Sequence, residues 1–260
     1  MADFPAFNRL RNCRYGQLLY NVHDMYIGRS LELYGEFSEG EVELFRQMSK
    51  PGHVVVEVGA NIGAHTVFFG RHVGPRGRVL AFEPQRVVFQ TLCANVALNS
   101  LTNVECYQQA VGDLPGSLLV PPLDYTQENN YGGLELGSYT HGESVPVVTL
   151  DSLQLPRLNV LKIDVEGMEH SVLRGSQETL ARCRPILYVE NDRADRSDEL
   201  IRLLDSLEYN LYWHTPPLFN PNNFAGNGTN VFGQIISKNM IGVHRTVPQK
   251  LDGFPPVAVP

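Results

Sequence analysis

Cysteine is scarce in this chain, and the four present, Cys13, Cys93, Cys106 and Cys183, show no C-x-x-C pairing. They read as reduced thiols, not as a disulfide framework or a zinc site. Basic residues are the minority: 21 Lys and Arg stand against 28 Asp and Glu, a formal charge of -7. That balance argues against a nucleic-acid partner, which normally requires a basic face. No apolar run approaches the ~20 residues that span a bilayer, so no transmembrane segment is expected. The opening MADFPAFNRLRNCRY lacks the apolar core of a signal peptide, which predicts an unexported, cytoplasmic protein. In such a protein the sequon at Asn227-Gly228-Thr229 is a loop that happens to match. Repeats and low-complexity tracts are also missing. What remains is an ordinary globular composition, 43% hydrophobic and 19% charged over 260 residues, suited to one α/β domain.

The stretch that organises this domain is VVVEVGANIGAHTVFFG, Val54 to Gly70. β-Branched residues rise to Glu57, then Gly59, Asn61 and Gly63 interrupt the run before apolar spacing resumes at Val67 and Phe68. The pattern predicts strand, tight glycine turn and helix, with backbone passing close beneath a ligand and N–H groups that favour an anionic group. The dinucleotide fingerprint G-x-G-x-x-G is broken here, since the spacing is E-x-G-x-N-x-G. Glu83 closes the next strand-like run, RVLAFEP. A carboxylate at that strand tip can accept hydrogen bonds from both hydroxyls of a ribose.

Around this core the pattern is read in order. Tyr15 to Ile27 suggests short strands or a hairpin, and Ser38 with Glu41 forms a capping box for a helix up to about Lys50. After Pro84, the apolar stripe Val87, Val88, Leu92, Val96 and Leu98 predicts a helix, followed by a strand over Asn103 to Gln109. Two β-like runs, SLLVPP and SVPVVTL, flank a Gly-, Asn- and Tyr-rich insertion expected to form an acceptor-side flap. NVLKIDV and ILYVEN read as buried strands, Asp198 to Glu208 as an amphipathic helix, and Asn210 to Trp213 and Val231 to Ser237 as the last two strands.

The motifs YGEFSEGE, VVEVGANIGAHT, AFEP and LKIDVEGMEHSVLRG together resemble those of FkbM-type S-adenosylmethionine-dependent methyltransferases, over roughly Tyr34 to Asn191. The resemblance implies a class I methyltransferase (Rossmann-like) α/β fold: a seven-stranded, mostly parallel sheet in the order 3-2-1-4-5-7-6, with helices on both faces, carrying here an inserted β-hairpin. It divides the chain into an N-terminal extension, 1–33, a methyltransferase domain, 34–245, with an insertion at 115–150, and an extended tail, 246–260. The implied chemistry is O-methylation of a small-molecule hydroxyl, often on a sugar, glycolipid or polyketide. The implied cofactor contacts are Glu36, Glu57, Gly59, Asn61, Gly63, His65, Thr66, Glu83, Pro84, Gln109, Ala110 and Asp164.

Ligands of open α/β sheets bind at the carboxyl ends of the strands, which places Asp164, Glu166, Glu190 and Asn191 on the methyl-transfer side. A sulfonium methyl is already activated, so the protein must align the acceptor and remove its proton. Asp164, Glu166 or Glu190 could act as base; alternatively Asp164, Glu190 and Asn191 offer hard oxygens to Mg²⁺ or Ca²⁺. Asn191, Trp213 and His214 are the candidate acceptor contacts, an aromatic and amide set suited to a sugar. The rival readings are a dinucleotide oxidoreductase, a methyltransferase for nucleic acid or protein, and a cofactor-binding protein without chemistry. A homo-oligomer is left open.

Overall fold

Seven segments rich in valine, isoleucine and leucine pair into one sheet. The computed structural model describes residues 6–247 and 253–260. A hairpin of β1 (Asn8–Cys13) and β2 (Gly16–Asn21) leads into helices α1 (Ile27–Tyr34) and α2 (Glu39–Met48). Strands and helices then alternate: β3 (Val54–Val58), α3 (Ala64–Val73), β4 (Arg78–Phe82), α4 (Arg86–Leu98) and β5 (Val104–Tyr107). Three short strands follow, β6 (Ala110–Val111), β7 (Gly116–Val120) and β8 (Glu143–Val148), and then β9 (Val160–Ile163). The chain continues through α5 (Glu169–Arg174), α6 (Gln177–Cys183), β10 (Ile186–Glu190), α7 (Ser197–Ser206), β11 (Tyr209–His214) and β12 (Asn239–His244).

The sheet order is β11-β12-β10-β9-β3-β4-β5, with β12 antiparallel to both neighbours and the other pairings parallel. Counted along the chain, this is the expected 3-2-1-4-5-7-6. Order reverses between β3 and β9, which opens a crevice at their carboxyl ends.

Alternation along each strand sorts the core into two layers. Val54, Val56 and Val58 join Leu161, Ile163, Leu187 and Val189 against α5, α6 and α7. Val55, Val79, Val160, Tyr188 and Ile241 face the other way, against Phe45 of α2 and Phe68 and Phe69 of α3. All five residues of β3 and all four of β9 are buried, as covered parallel strands require. Each fully buried aliphatic side chain contributes roughly 1.5–3 kcal/mol, so this double layer is what holds the strand tips in place.

Several local expectations change. The last strand is Asn239–His244, not 231–237. Gly233 turns the backbone at φ +60, Ile235 and Ile236 stay exposed, and the fully buried run is NMIGVH. Ser38 does not cap α2: it sits in the left-handed region, its side chain makes no capping hydrogen bond, and Glu41 turns inward instead. The hairpin read over Tyr15 to Ile27 lies earlier, at 8–21, residues 27–34 form a helix, and Leu98 at the end of α4 is exposed. The expected tail falls partly on residues 248–252, outside the described ones; residues 253–260 run beside β11, with Trp213 N donating to Pro255 O and Val257 N to Leu211 O. Among the described residues, no helix is long and apolar enough to cross a membrane.

Candidate functional site

The turn from β3 to α3 shows why the glycines are where they are. At Gly59, φ is +82 and an added Cβ would lie 1.7 Å from the Asp164 carbonyl oxygen, so only hydrogen fits between the tips of β3 and β9. Asn61 takes a left-handed conformation at φ 50, and Gly63, also left-handed, starts α3. This folds the backbone back towards β4. Asn61 N and Gln85 N each donate to the Glu83 carboxylate at 2.9 Å. Each Glu83 oxygen keeps a lone pair for a further donor.

A cleft of about 280 Å³ opens at the carboxyl ends of β4, β3, β9 and β10. Seven carboxylates line it: Glu41, Glu57, Glu83, Asp164, Glu166, Glu190 and Asp192, together with Lys162, Gly59, Asn61 and His65. Beside it lies an apolar slot of about 40 Å³ bordered by Phe82, Pro84, Gln109, Ala110, Met168, Leu134 and Leu136. Both share Gly59, Glu83, Gly132, Asp164 and Glu166. Polar cleft and apolar slot thus meet at the glycine turn.

Lys162 governs the charge in this cleft. Its side chain is 2% exposed, and Nζ lies 2.9 Å from Asp164 Oδ2 and 3.8 Å from Glu57 Oε1. Despite the burial, these acids and Glu41 hold its pKa above the usual lysine value. Asp164 keeps 36% of its side chain exposed, and Lys162 holds its pKa below the ordinary aspartate value. Five glutamates of the lining go the opposite way. Burial pushes Glu41, Glu57, Glu83 and Glu166 up to about 7, and raises Glu190, next to Asp164, well above the usual glutamate value. His65, packed between Phe37 and Phe45, is pushed down to about 3 by burial and is neutral.

These shifts have a consequence for stability. An acid whose folded pKa is raised from 4.5 to about 7 contributes stability that is complete below 4.5 and is lost as pH rises through 7. The melting temperature of the ligand-free protein should therefore fall as pH is raised from ~5 to ~8. Scanning calorimetry across that range checks this, and a rising melting temperature would contradict the buried-acid arrangement.

Most of the sequence-selected residues converge here, but not all. Glu57, Gly59, Asn61, His65, Glu83, Asp164, Glu166 and Glu190 line the cleft, and Pro84, Gln109 and Ala110 the slot. Thr66 lies behind them, its hydroxyl donating to Glu57 Oε2 at 2.6 Å. Glu36 is spent elsewhere: it accepts from Arg14 Nε at 2.7 Å, Asn220 Nδ2 at 2.8 Å and Phe224 N at 2.7 Å, tying the hairpin to the long loop. Asn191 donates its amide nitrogen to Met240 Sδ at 3.3 Å and is not among the residues that line the cleft with Asp164 and Glu190. Trp213 and His214 lie on the edge strand; Lys238 Nζ sits 5.0 Å from the Trp213 ring centre, and His214 Nδ1 pairs with Tyr188 Oη at 2.9 Å.

The insertion borders both spaces: Leu134 and Leu136 line the slot, Asn130 and Gly132 the cleft, and Glu135 pairs with Arg193 and Arg196. Gln85 Nε2 donates to Tyr131 O at 2.8 Å, and Met25 N donates to Asn129 O at 3.0 Å. Two lining residues, Glu41 and Lys162, were not read from the sequence as site residues. A lysine inside the apolar run of NVLKIDV was itself a signal, because a covered strand buries every position and a buried ammonium needs acids around it.

Asp164, Glu166 and Glu190 bring oxygens within 4.8 Å of one another, a donor set that could hold a hard cation. Protein cations already occupy part of it: Lys162 on Asp164, and Arg193 Nη2 on Glu166 Oε2 at 3.1 Å.

With this geometry, comparison with known proteins is informative. The family described as Methyltransferase FkbM domain matches residues 57–211, more than half of the chain. "Methyltransferase 1" of Beauveria bassiana is 32% identical over 143 residues, 46% of this chain and 57% of that protein. "Hexuronic acid methyltransferase AglP" of Haloferax volcanii is 27% identical over 154 residues, 59% of this chain and 62% of that protein. The matches therefore span about three fifths of these relatives. The crystal structure of Precorrin-6y C5,15-methyltransferase from Geobacter metallireducens superposes with a TM-score of 0.50 at 11% identity, covering 78% of this chain and 87% of that one, a likeness of fold. Glycine turn, strand-tip acids, sheet order and family match agree: the chain belongs to the FkbM methyltransferase family and has the class I methyltransferase fold.

Proposed function

We propose that this chain is an S-adenosylmethionine-dependent O-methyltransferase acting on a small-molecule hydroxyl, with Asp164 as the base. One observation carries the reading: a single cleft joins Glu83, free to accept from a ribose, to an ionised Asp164, across a turn with no room for a Cβ. Glu83 would hold the ribose, the slot bordered by Gln109, Ala110 and Met168 the adenine, and the acidic interior the ammonium and sulfonium.

The cofactor, when bound, supplies an activated methyl group and leaves as a neutral thioether. The protein orients the acceptor oxygen, excludes water and takes the hydroxyl proton on the free oxygen of Asp164 as the new C–O bond forms and the C–S bond breaks. Burial beside Asp164 raises Glu190 well above the usual glutamate value, which favours keeping the proton on Glu190 over Asp164. Lys162 and Arg193 already supply positive charge to the strand tips, so carboxylate activation needs no divalent ion. Turnover in excess EDTA should stay within about twofold of the untreated rate, since a metal-activated nucleophile would lose most of its rate. Loss restored by Mg²⁺ would reverse this assignment.

Glu83→Ala should weaken S-adenosylhomocysteine binding roughly 10- to 100-fold, the about 1.5–3 kcal/mol of hydrogen bonds to a charged group. Because Glu83 is raised to about 7 and the ribose favours its ionised form, affinity should increase with pH through 7, and this slope should shrink in the variant. Calorimetric titration at several pH values tests both; unchanged affinity in Glu83→Ala would remove Glu83 from the ribose. Transfer of labelled methyl from S-adenosylmethionine to an alcohol tests the reaction itself.

A further inference from the structure

We infer that the acceptor is a neutral alcohol on an apolar scaffold, held at the mouth of the cleft by the loop of residues 215–238 with its hydroxyl directed at Asp164. This rests on the proposed methyl transfer and narrows its substrate. The apolar lining of the cleft is Ile235, Ile236 and Leu218 of this loop together with Tyr26, Ile27 and Phe37, and Tyr26 and Phe37 pack in one cluster with Leu218. Ile235 is 42% and Ile236 52% exposed, adjacent β-branched side chains left in water at the entrance. Single exposed apolar residues are ordinary, but a set gathered at the rim of a polar cleft marks a binding surface.

The loop is held in this shape by its own backbone. Leu218 N donates to Ile235 O at 3.0 Å, Pro217 and Ile236 form an antiparallel bridge, and Leu218 is buried behind the pair. The apolar wall is therefore built in.

The inner end is acidic. Seven carboxylates line the cleft, and Lys162 is the one ammonium or guanidinium lining it among the described residues, already bonded to Asp164. An anionic acceptor group placed beside Asp164, whose ionised form Lys162 favours, would meet like charge while that lysine is already engaged. A neutral sugar is disfavoured for another reason. Trp213, the aromatic platform a sugar would stack on, packs away from the cleft under Lys238, and Ile235 and Ile236 offer no partner to a sugar hydroxyl at the entrance. An apolar body with one hydroxyl fits both ends: the wall takes the body, and Asp164 takes the proton.

Binding to protein saturated with S-adenosylhomocysteine separates the options. The probes are trans-4-tert-butylcyclohexanol, its analogue trans-4-tert-butylcyclohexanecarboxylate, methyl β-glucoside and glucuronate, each followed by saturation-transfer NMR and competition. The alcohol should bind at least roughly tenfold more tightly than the other three, and Ile236→Asp should lower its affinity by roughly tenfold without changing that of S-adenosylhomocysteine. Equal or tighter binding of the glucoside, glucuronate or carboxylate, or an Ile236→Asp protein that binds the alcohol as before, overturns the inference. Failure of S-adenosylhomocysteine itself to bind is read separately, and it would remove the underlying methyl-transfer reading together with this one.

Discussion

Asp164→Asn is expected to lower kcat roughly 10²- to 10⁴-fold, the range ascribed to a positioned general base, while S-adenosylhomocysteine affinity falls by no more than roughly tenfold, the about 1.5 kcal/mol of one hydrogen bond to a charged group in the interior that holds the ammonium. The argument is one of protonation. Among the strand-tip acids, Asp164 is the one held below its ordinary value, whereas Glu166 is raised to about 7 and Glu190 well above the usual range. The aspartate is the acid whose ionised form is most favoured, and the oxygen that Lys162 does not hold keeps a lone pair for the proton. Asparagine keeps the shape and can still accept from Lys162, but it takes no proton. Steady-state kinetics beside calorimetry checks this, and a variant turning over at the parental rate would remove Asp164 from the chemistry. If activity instead disappeared in Glu190→Gln with Asp164→Asn active, the base would be the acid of β10.

Lys162→Met is expected to destabilise the fold by about 3–5 kcal/mol, the cost of leaving a buried charge without its partner. For a chain of this size that is a fall in Tm of roughly 6 to 20 °C. Lys162 is hydrogen-bonded to Asp164 and lies 3.8 Å from Glu57, both in the interior of the cleft. The sign with pH discriminates this from simple loss of packing. Glu41 and Glu57, already raised to about 7 with the lysine present, can shed their repulsion by taking protons in acid but not in base. The defect should be larger at pH ~8 than at pH ~5.5. Adding Glu57→Gln to Lys162→Met should restore part of the loss, because it removes the fully buried one of the two acids that the lysine pairs with. A defect independent of pH, or no rescue in the double variant, would mean that the methylene stem and not the charge matters.

How these residues were read from the chain differs for physical reasons. Gly59 and Glu83 were legible because their signals are local: a glycine interrupting a β-branched run, and an acid ending one. Glu41 was read as half of a capping box because Ser38 lies three residues before it, yet its side chain is buried beside the cleft, accepting from Asn239 Nδ2 at 3.2 Å. Glu36 was assigned to the cofactor, but partners almost two hundred positions away, Asn220 and Phe224, use its oxygens. Trp213 and His214 looked like a sugar platform until their strand took the edge of the sheet.

Hydrophobic periodicity and glycine spacing by themselves determined an α/β domain with a strand, glycine turn and helix and acids at its strand tips, since each depends on neighbours within a few positions, and the resemblance of the ordered motifs to the FkbM family supplied the class I fold. Which of those acids carries charge, which lysine holds it, and what kind of body can enter above it were decided only when β3, β9, β10, α2 and the loop of residues 215–238 met. Charge at a site follows from groups a few ångströms away through space, and separation along the chain does not encode that distance.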